Sequence, residues 1–193
     1  MAKQARIIEQ AFLANIVEET THTLSEWMTL IDDSGEHKTN GIIKWIKATY
    51  PLNHRQASML AGIYLNDGQP VYDYDVMFDK LFEKFPQQRP IYDHLIAQIH
   101  NILPDVEAIP TKSYVSLETD YVFGCIKIAK SYLRLGLDLA SKPLEGILQE
   151  AKGLGAMPNI AHMIELRSVD DISDTVISYI EQAYHLKHSI SEA

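Results

Sequence analysis

"SYLRLGLDLAS", residues 131–141, alternates without a break: Leu133, Leu135, Leu137 and Leu139 fall on one side, and Tyr132, Arg134, Gly136 and Asp138 on the other. Successive side chains of an extended chain point to opposite faces, so this rhythm predicts a strand with one apolar face. Two segments ahead of it, "KSYVSLE" (112–118) and "YVFGCIKIA" (121–129), are rich in branched and aromatic residues and are separated by a Thr119-Asp120 turn. They predict a meander, with a weaker strand in "DVEAI" (105–109). Beyond a loop from Ser141 to Asn159, "IAHMIELRS" (160–168) reads as the last strand. Ser168 with Asp171 then opens a final helix, whose Ile172, Val176, Ile177, Ile180, Ala183 and Tyr184 share one face. Strands and helices that do not alternate regularly indicate an α+β layer, here an antiparallel sheet of four to five strands packed with helices.

Upstream the period changes to that of a helix. Ile8, Phe12 and Ile16, with Leu13 and Val17 beside them, recur at helical spacing and leave Glu9, Gln10 and Glu18 outside. Thr23 followed by Glu26 is a reciprocal cap for a helix with an inner stripe of Leu24, Trp27, Met28 and Ile31, and Gly35 is placed to end it. The next helix turns Ile42, Ile43 and Ile46 inward and Lys44 and Lys47 outward, and it stops near Tyr50 because a residue before proline avoids helical geometry. Asn53 caps a fourth helix with Ala57, Leu60, Ala61 and Tyr64 on one side. "NDGQP" (66–70) interrupts the pattern, which separates a helical module, 1–68, from an α+β module, 72–193. Within the second module, "YDYDVMFDKLFEKF" and "RPIYDHLIAQIHNIL" supply two more helices, the latter with Pro90 in its first turn.

The 193 residues carry one cysteine and a formal net charge of -9. A single thiol excludes an internal disulfide framework and a cysteine-rich zinc site, and it suits a reducing, cytoplasmic setting. No apolar run is long enough to span a bilayer, so a soluble protein without a membrane partner is expected. Acidity opposes phosphate binding over the whole surface, but positive charge is segregated: between Glu36 and Leu60 stand Lys38, Lys44, Lys47 and Arg55 against Glu36 alone.

"FLANIVEETTHTLSEWMTLIDDSGEHKTNGIIKWIKATYPLNHRQA" (12–57) resembles the bacterial domain of unknown function 4287: a TLxEW helix, a turn with Gly and His-Lys, an IxxWIK helix and an LxHxxA helix. From about Phe78 onward the chain resembles the small α+β module of unknown function that often follows that domain. The resemblance implies a helical module and an α+β module and brings no activity or site residue with it. Relatives of the second module joined to nuclease-like domains point toward nucleic acid.

Two sets of residues are candidate sites. Lys38, Lys44, Lys47, His54 and Arg55 would meet nucleic acid phosphates or bases if the helical hairpin 37–60 presented its second helix to a groove. A packed hairpin with a solvated basic edge explains the same residues, and the turn lacks the usual glycine. Lys112, Tyr114, Ser116, Arg134 and His162 would form a small-ligand site on the sheet, suited to a small anion or to an enzyme, if they met on one surface. His162 shares the parity of Ile164 and Leu166, which favours a buried, satisfied imidazole. His37 and His54, even with Asp32, Asp33 and Glu36, match no metal-loop spacing, so no metal is expected. Lys152, Gly153 and Gly155 precede a strand, whereas glycine-rich phosphate loops follow one. No nucleophile with a base, and no paired acid and base, stands at convincing spacing. The expectation is an uncharacterised noncatalytic binding or accessory protein without a cofactor; nucleic acid is the partner candidate and a homo-oligomer is compatible with the sequence.

Overall fold

Both caps foreseen in the first module close. In the computed structural model, which describes residues 2–154 and 159–191, the Thr23 hydroxyl accepts from the Glu26 amide at 3.3 Å and the Glu26 carboxylate accepts from the Thr23 amide at 2.7 Å. They start α3 (Leu24–Asp33), which ends at Gly35 with φ +70°. Asn53 and Gln56 make the same reciprocal pair, at 3.0 and 3.1 Å, and start α5 (His54–Tyr64). Between them α4 (Thr39–Thr49) stops at Tyr50, which is extended ahead of Pro51. The chain divides into two units, Met1–Asp73 and Tyr74–Ala193.

In the first unit α1 (Ala2–Ala14) and α2 (Ile16–Thr20) are separated at Asn15, whose side-chain amide donates back to the Ala11 carbonyl at 3.0 Å. The core is Phe12, Ile16, Trp27, Ile31, Ile42, Ile46, Ala57, Leu60 and Ala61. Trp27 is fully buried, and its indole N–H is satisfied by the Thr20 hydroxyl at 2.7 Å. The first-helix pattern placed Glu9 outside, and the structure corrects this. Glu9 is buried, and its carboxylate accepts from the Val71 and Tyr72 amides at 3.0 and 2.9 Å. A buried carboxylate is retained where two N–H donors aim at it, a pairing across 62 residues that local periodicity does not register.

The second unit begins with α6 (Tyr74–Phe82) and α7 (Arg89–Ile102), and its sheet runs β1 (Glu107–Pro110), β2 (Val115–Glu118), β3 (Val122–Ile128), β4 (Leu133–Leu137), β5 (Gln149–Glu150) and β6 (His162–Leu166). All neighbours are antiparallel, in the order β1-β2-β3-β4-β6-β5. The sheet therefore has six strands, against the four to five expected. The extra strand is β5, two exposed residues that pair with the outer edge of β6; two residues carry no period to read. The last helix also starts later than its cap suggested. Ser168 and Asp171 close a short 3-10 turn, Val169–Asp171, and α8 runs Asp174–Ser191.

Register decides which face each residue takes, because side chains directly opposite one another share a face. Leu137 stands opposite Gly124 and His162, and Leu135 opposite Ile126 and Ile164. That face packs in one cluster with Leu95, Ile99, Val176, Ile180 and Ala183 of α7 and α8. On the other face Gly136 stands opposite Cys125 and Met163, and Cys125 opposite Ser116. There the incoming segment before β6 lays Leu154 and Ile160 against Cys125 and Met163. A Cβ at residue 136 would come within 2.5 Å of Leu154 and 2.7 Å of Ile160. Gly136→Val should therefore cost about 1–3 kcal/mol by overpacking, read as a lower urea midpoint; an unchanged midpoint would mean that Leu154 and Ile160 do not seat there.

Asp171 yields a pH prediction. Its carboxylate accepts from the backbone amides of Arg167, at 2.6 Å, and Ser168, at 2.9 Å, and these bonds hold its pKa below the ordinary value. A depressed carboxylate contributes stability that is complete above its unfolded value, about pH 4, and is lost as pH falls through the lower folded value. Asp171→Asn should flatten the acid limb of stability below about pH 4 relative to the parent chain; parallel acid limbs would contradict the assignment.

Candidate functional site

The first candidate set lies on two helices of the first unit. Lys38 caps the start of α4, and Lys44 and Lys47, three residues apart, project from the side of α4 opposite the buried Ile42 and Ile46. All three lysines are exposed, and among the described residues none is in an ion pair. His54 and Arg55 are the first two residues of α5, both exposed, with the His54 Nε2 atom 3.4 Å from the Ser58 hydroxyl.

The beginning of α5, where a groove-reading helix would make its contacts, is served internally. Asn53 and Gln56 satisfy each other's amides, and the Gln56 side-chain amide donates to the Glu19 carboxylate at 3.1 Å. Glu19 and Arg55 line the same small cleft of about 210 Å³, with Phe12 and Met59. A carboxylate beside a helix start takes the favourable electrostatic position that a phosphate would otherwise occupy. The cationic surface left open is therefore the outer side of α4.

The second set divides between the two faces of the sheet. Ser116 and Arg134 share the face that carries Cys125 and Gly136, and Tyr114 packs against the Cys125 cluster there. His162 is on the opposite face, level with Leu137; it is buried, and its Nε2 donates to the Lys142 carbonyl at 2.7 Å. Lys112 is exposed in the turn before β2. These five residues do not meet, and the parity of His162 with Ile164 and Leu166 is the reason. Ser116 is buried and spends its proton on the Glu118 carboxylate at 2.9 Å, so it is not poised as a nucleophile. Burial first, then Cys125 and Glu118, raise the Tyr114 pKa.

Register places residues beside Arg134 that the sequence did not single out. Lys127 and Glu165 stand directly opposite it on the two neighbouring strands. Arg134 lies over the Tyr132 ring with its Cζ 5.3 Å from the centroid, and Arg167 lies over the same ring at 4.7 Å. Tyr132 and Arg134 were visible as the outward positions of the strand; Lys127 and Arg167 needed the pairing of three strands. Among the described residues no group of three or more His, Cys, Asp or Glu is placed to hold a metal ion, and no helix is long and apolar enough to cross a membrane.

Fold and sites thus define a helical module followed by an antiparallel α+β module, with cationic surfaces on both. The chain belongs to the family described as Domain of unknown function (DUF5655), whose model matches residues 78–187; a second model, Domain of unknown function (DUF4287), matches residues 9–66. No curated protein and no solved structure matches the chain.

Cys125 is fully buried beneath Leu154 and Ile160, and burial pushes its thiol up to about 12. The thiolate is the reactive form, so the folded chain at pH 8 should resist Ellman's reagent and react within minutes in denaturant; rapid labelling of the folded chain would place the thiol in an open site.

Proposed function

We propose that this is a noncatalytic binding protein whose first module engages an anionic partner through the outer face of α4. The observation that carries the reading is the pair Lys44 and Lys47, exposed on one side of a helix and without ion pairs among the described residues, in a chain of net charge -9. Free cations gathered on one helix face of an acidic protein steer association toward polyanions and away from other surfaces of the same molecule. Nucleic acid backbone phosphates are the partner best matched to Lys38, Lys44 and Lys47, with Arg55 at the margin. The contact is a backbone contact; base readout through His54 has less support, since Glu19 and the Asn53-Gln56 pair serve the start of α5. A single buried thiol fits a cytoplasmic setting. An enzymatic site joining Tyr114, Arg134 and His162 has no support in the geometry, because the sheet lies between His162 and the other two.

Fluorescence anisotropy with labelled single- and double-stranded 20-mers at low salt tests the reading. Binding should weaken steeply with added salt, and Lys44→Glu with Lys47→Glu should lower affinity by about tenfold or more and reduce the log–log salt slope by about 2. No binding at low salt, or equal affinity of the reversed variant, would contradict it.

A further inference from the structure

On the sheet face opposite α7 and α8, the end of β4 that carries Arg134 gathers cations without matching carboxylates. Lys127 and Arg134 stand directly opposite each other on neighbouring strands. Like charges in that position repel, and a sheet keeps such a pair at a cost in stability. Glu165 completes the row on the far side of Arg134. Its carboxylate, however, is bonded to the guanidinium of Arg167, two residues further along the chain and just past the end of β6. No ion pair to Lys127 or to Arg134 forms among the described residues. The cluster Lys127, Arg134 and Arg167 against Glu165 is therefore positive in an acidic chain.

Arg134 is held in place yet poorly satisfied. Its Nη2 donates to the Tyr132 hydroxyl at 3.0 Å and its Cζ lies 5.3 Å from the centroid of the Tyr132 ring. Its Nη1 reaches the Gly153 carbonyl only at 3.5 Å, the outer limit of a hydrogen bond, and its Nε–H is buried with no acceptor. An unmet buried donor costs stability. Gly153, with φ +68°, lets the backbone come this close: a Cβ there would collide with Nη1.

We propose that Lys127, Arg134 and Arg167, with the Tyr132 hydroxyl, form a binding site for a small oxyanion of the phosphate-monoester class. A tetrahedral dianion offers several acceptor oxygens at once: one takes the Nη1 donor that the Gly153 carbonyl holds only weakly, and the others take Lys127 and Arg167. Guanidinium groups bind such oxygens in pairs, and Lys127 adds a point charge. The weak Gly153 contact is the one the ligand oxygen replaces. This site lies on the second module and is independent of the proposed α4 contact.

The test follows the Arg134 side-chain Nε–H signal by NMR in the full chain while sodium phosphate replaces sodium chloride at constant ionic strength, with phenyl phosphate as the monoester probe. A saturable shift is expected with both probes, weakened about tenfold or more in Lys127→Gln and in Arg167→Gln. Backbone amide signals of His162–Leu166 report that each variant keeps the sheet. No shift, a shift that never saturates, or equal affinity in both folded variants would overturn the site. Saturation with phosphate but exclusion of phenyl phosphate would overturn the monoester assignment.

Discussion

Leu154 and Ile160 come down onto the middle of a sheet at Gly136, where β4 presents no side chain to that face. That contact ties the long connection after β4 to the strand it leaves, and it buries Cys125 and Met163 beneath it. It also depends on register: a slip of one residue would bring Leu135 or Leu137 into the space and turn Arg134 toward the helices. The apolar face against α7 and α8, the placement of His162 and the outward direction of Arg134 all follow from that single alignment.

With the alignment set, the face bearing Gly136 has a charge gradient along its strands. Arg134 and Lys127 stand at one end and Cys125 and Gly136 at the centre, while Glu118 and Asp138, two residues further along β2 and β4 than Ser116 and Gly136, stand at the other. Both carboxylates are buried, Glu118 with the Ser116 hydroxyl and Asp138 with the Ala140 amide. The opposite face is almost wholly apolar, and its one imidazole is tied to a backbone carbonyl. The two proposed contacts therefore lie on one surface of this sheet and on the outer side of α4.

What the sequence revealed and what it concealed divide by range. The caps of α3 and α5, the stop at Tyr50 and the leucine alternation of β4 are set by residues within four positions of one another, and all appear in the structure. Glu9 misled because its partners, the Val71 and Tyr72 amides, are more than sixty residues away. β5 is too short to show a period, and Ser168 with Asp171 made a true cap on a 3-10 turn, Val169–Asp171, with α8 starting only at Asp174. For the sites, strand parity separated Arg134 from the leucines of its strand and flagged His162 as inward, and the register agrees. It was silent on Lys127 and Arg167, since neighbours across strands become visible only once the register is known.

The register itself is open to direct measurement. Cross-strand nuclear Overhauser contacts in the full chain should place the Gly136 backbone opposite Cys125 on one side and Met163 on the other. Contacts of Gly136 with Gly124 and His162, or with Ile126 and Ile164, would instead signal a one-residue slip, exchange the two faces of β4, and contradict the account of how this sheet is packed and where its charged surface lies.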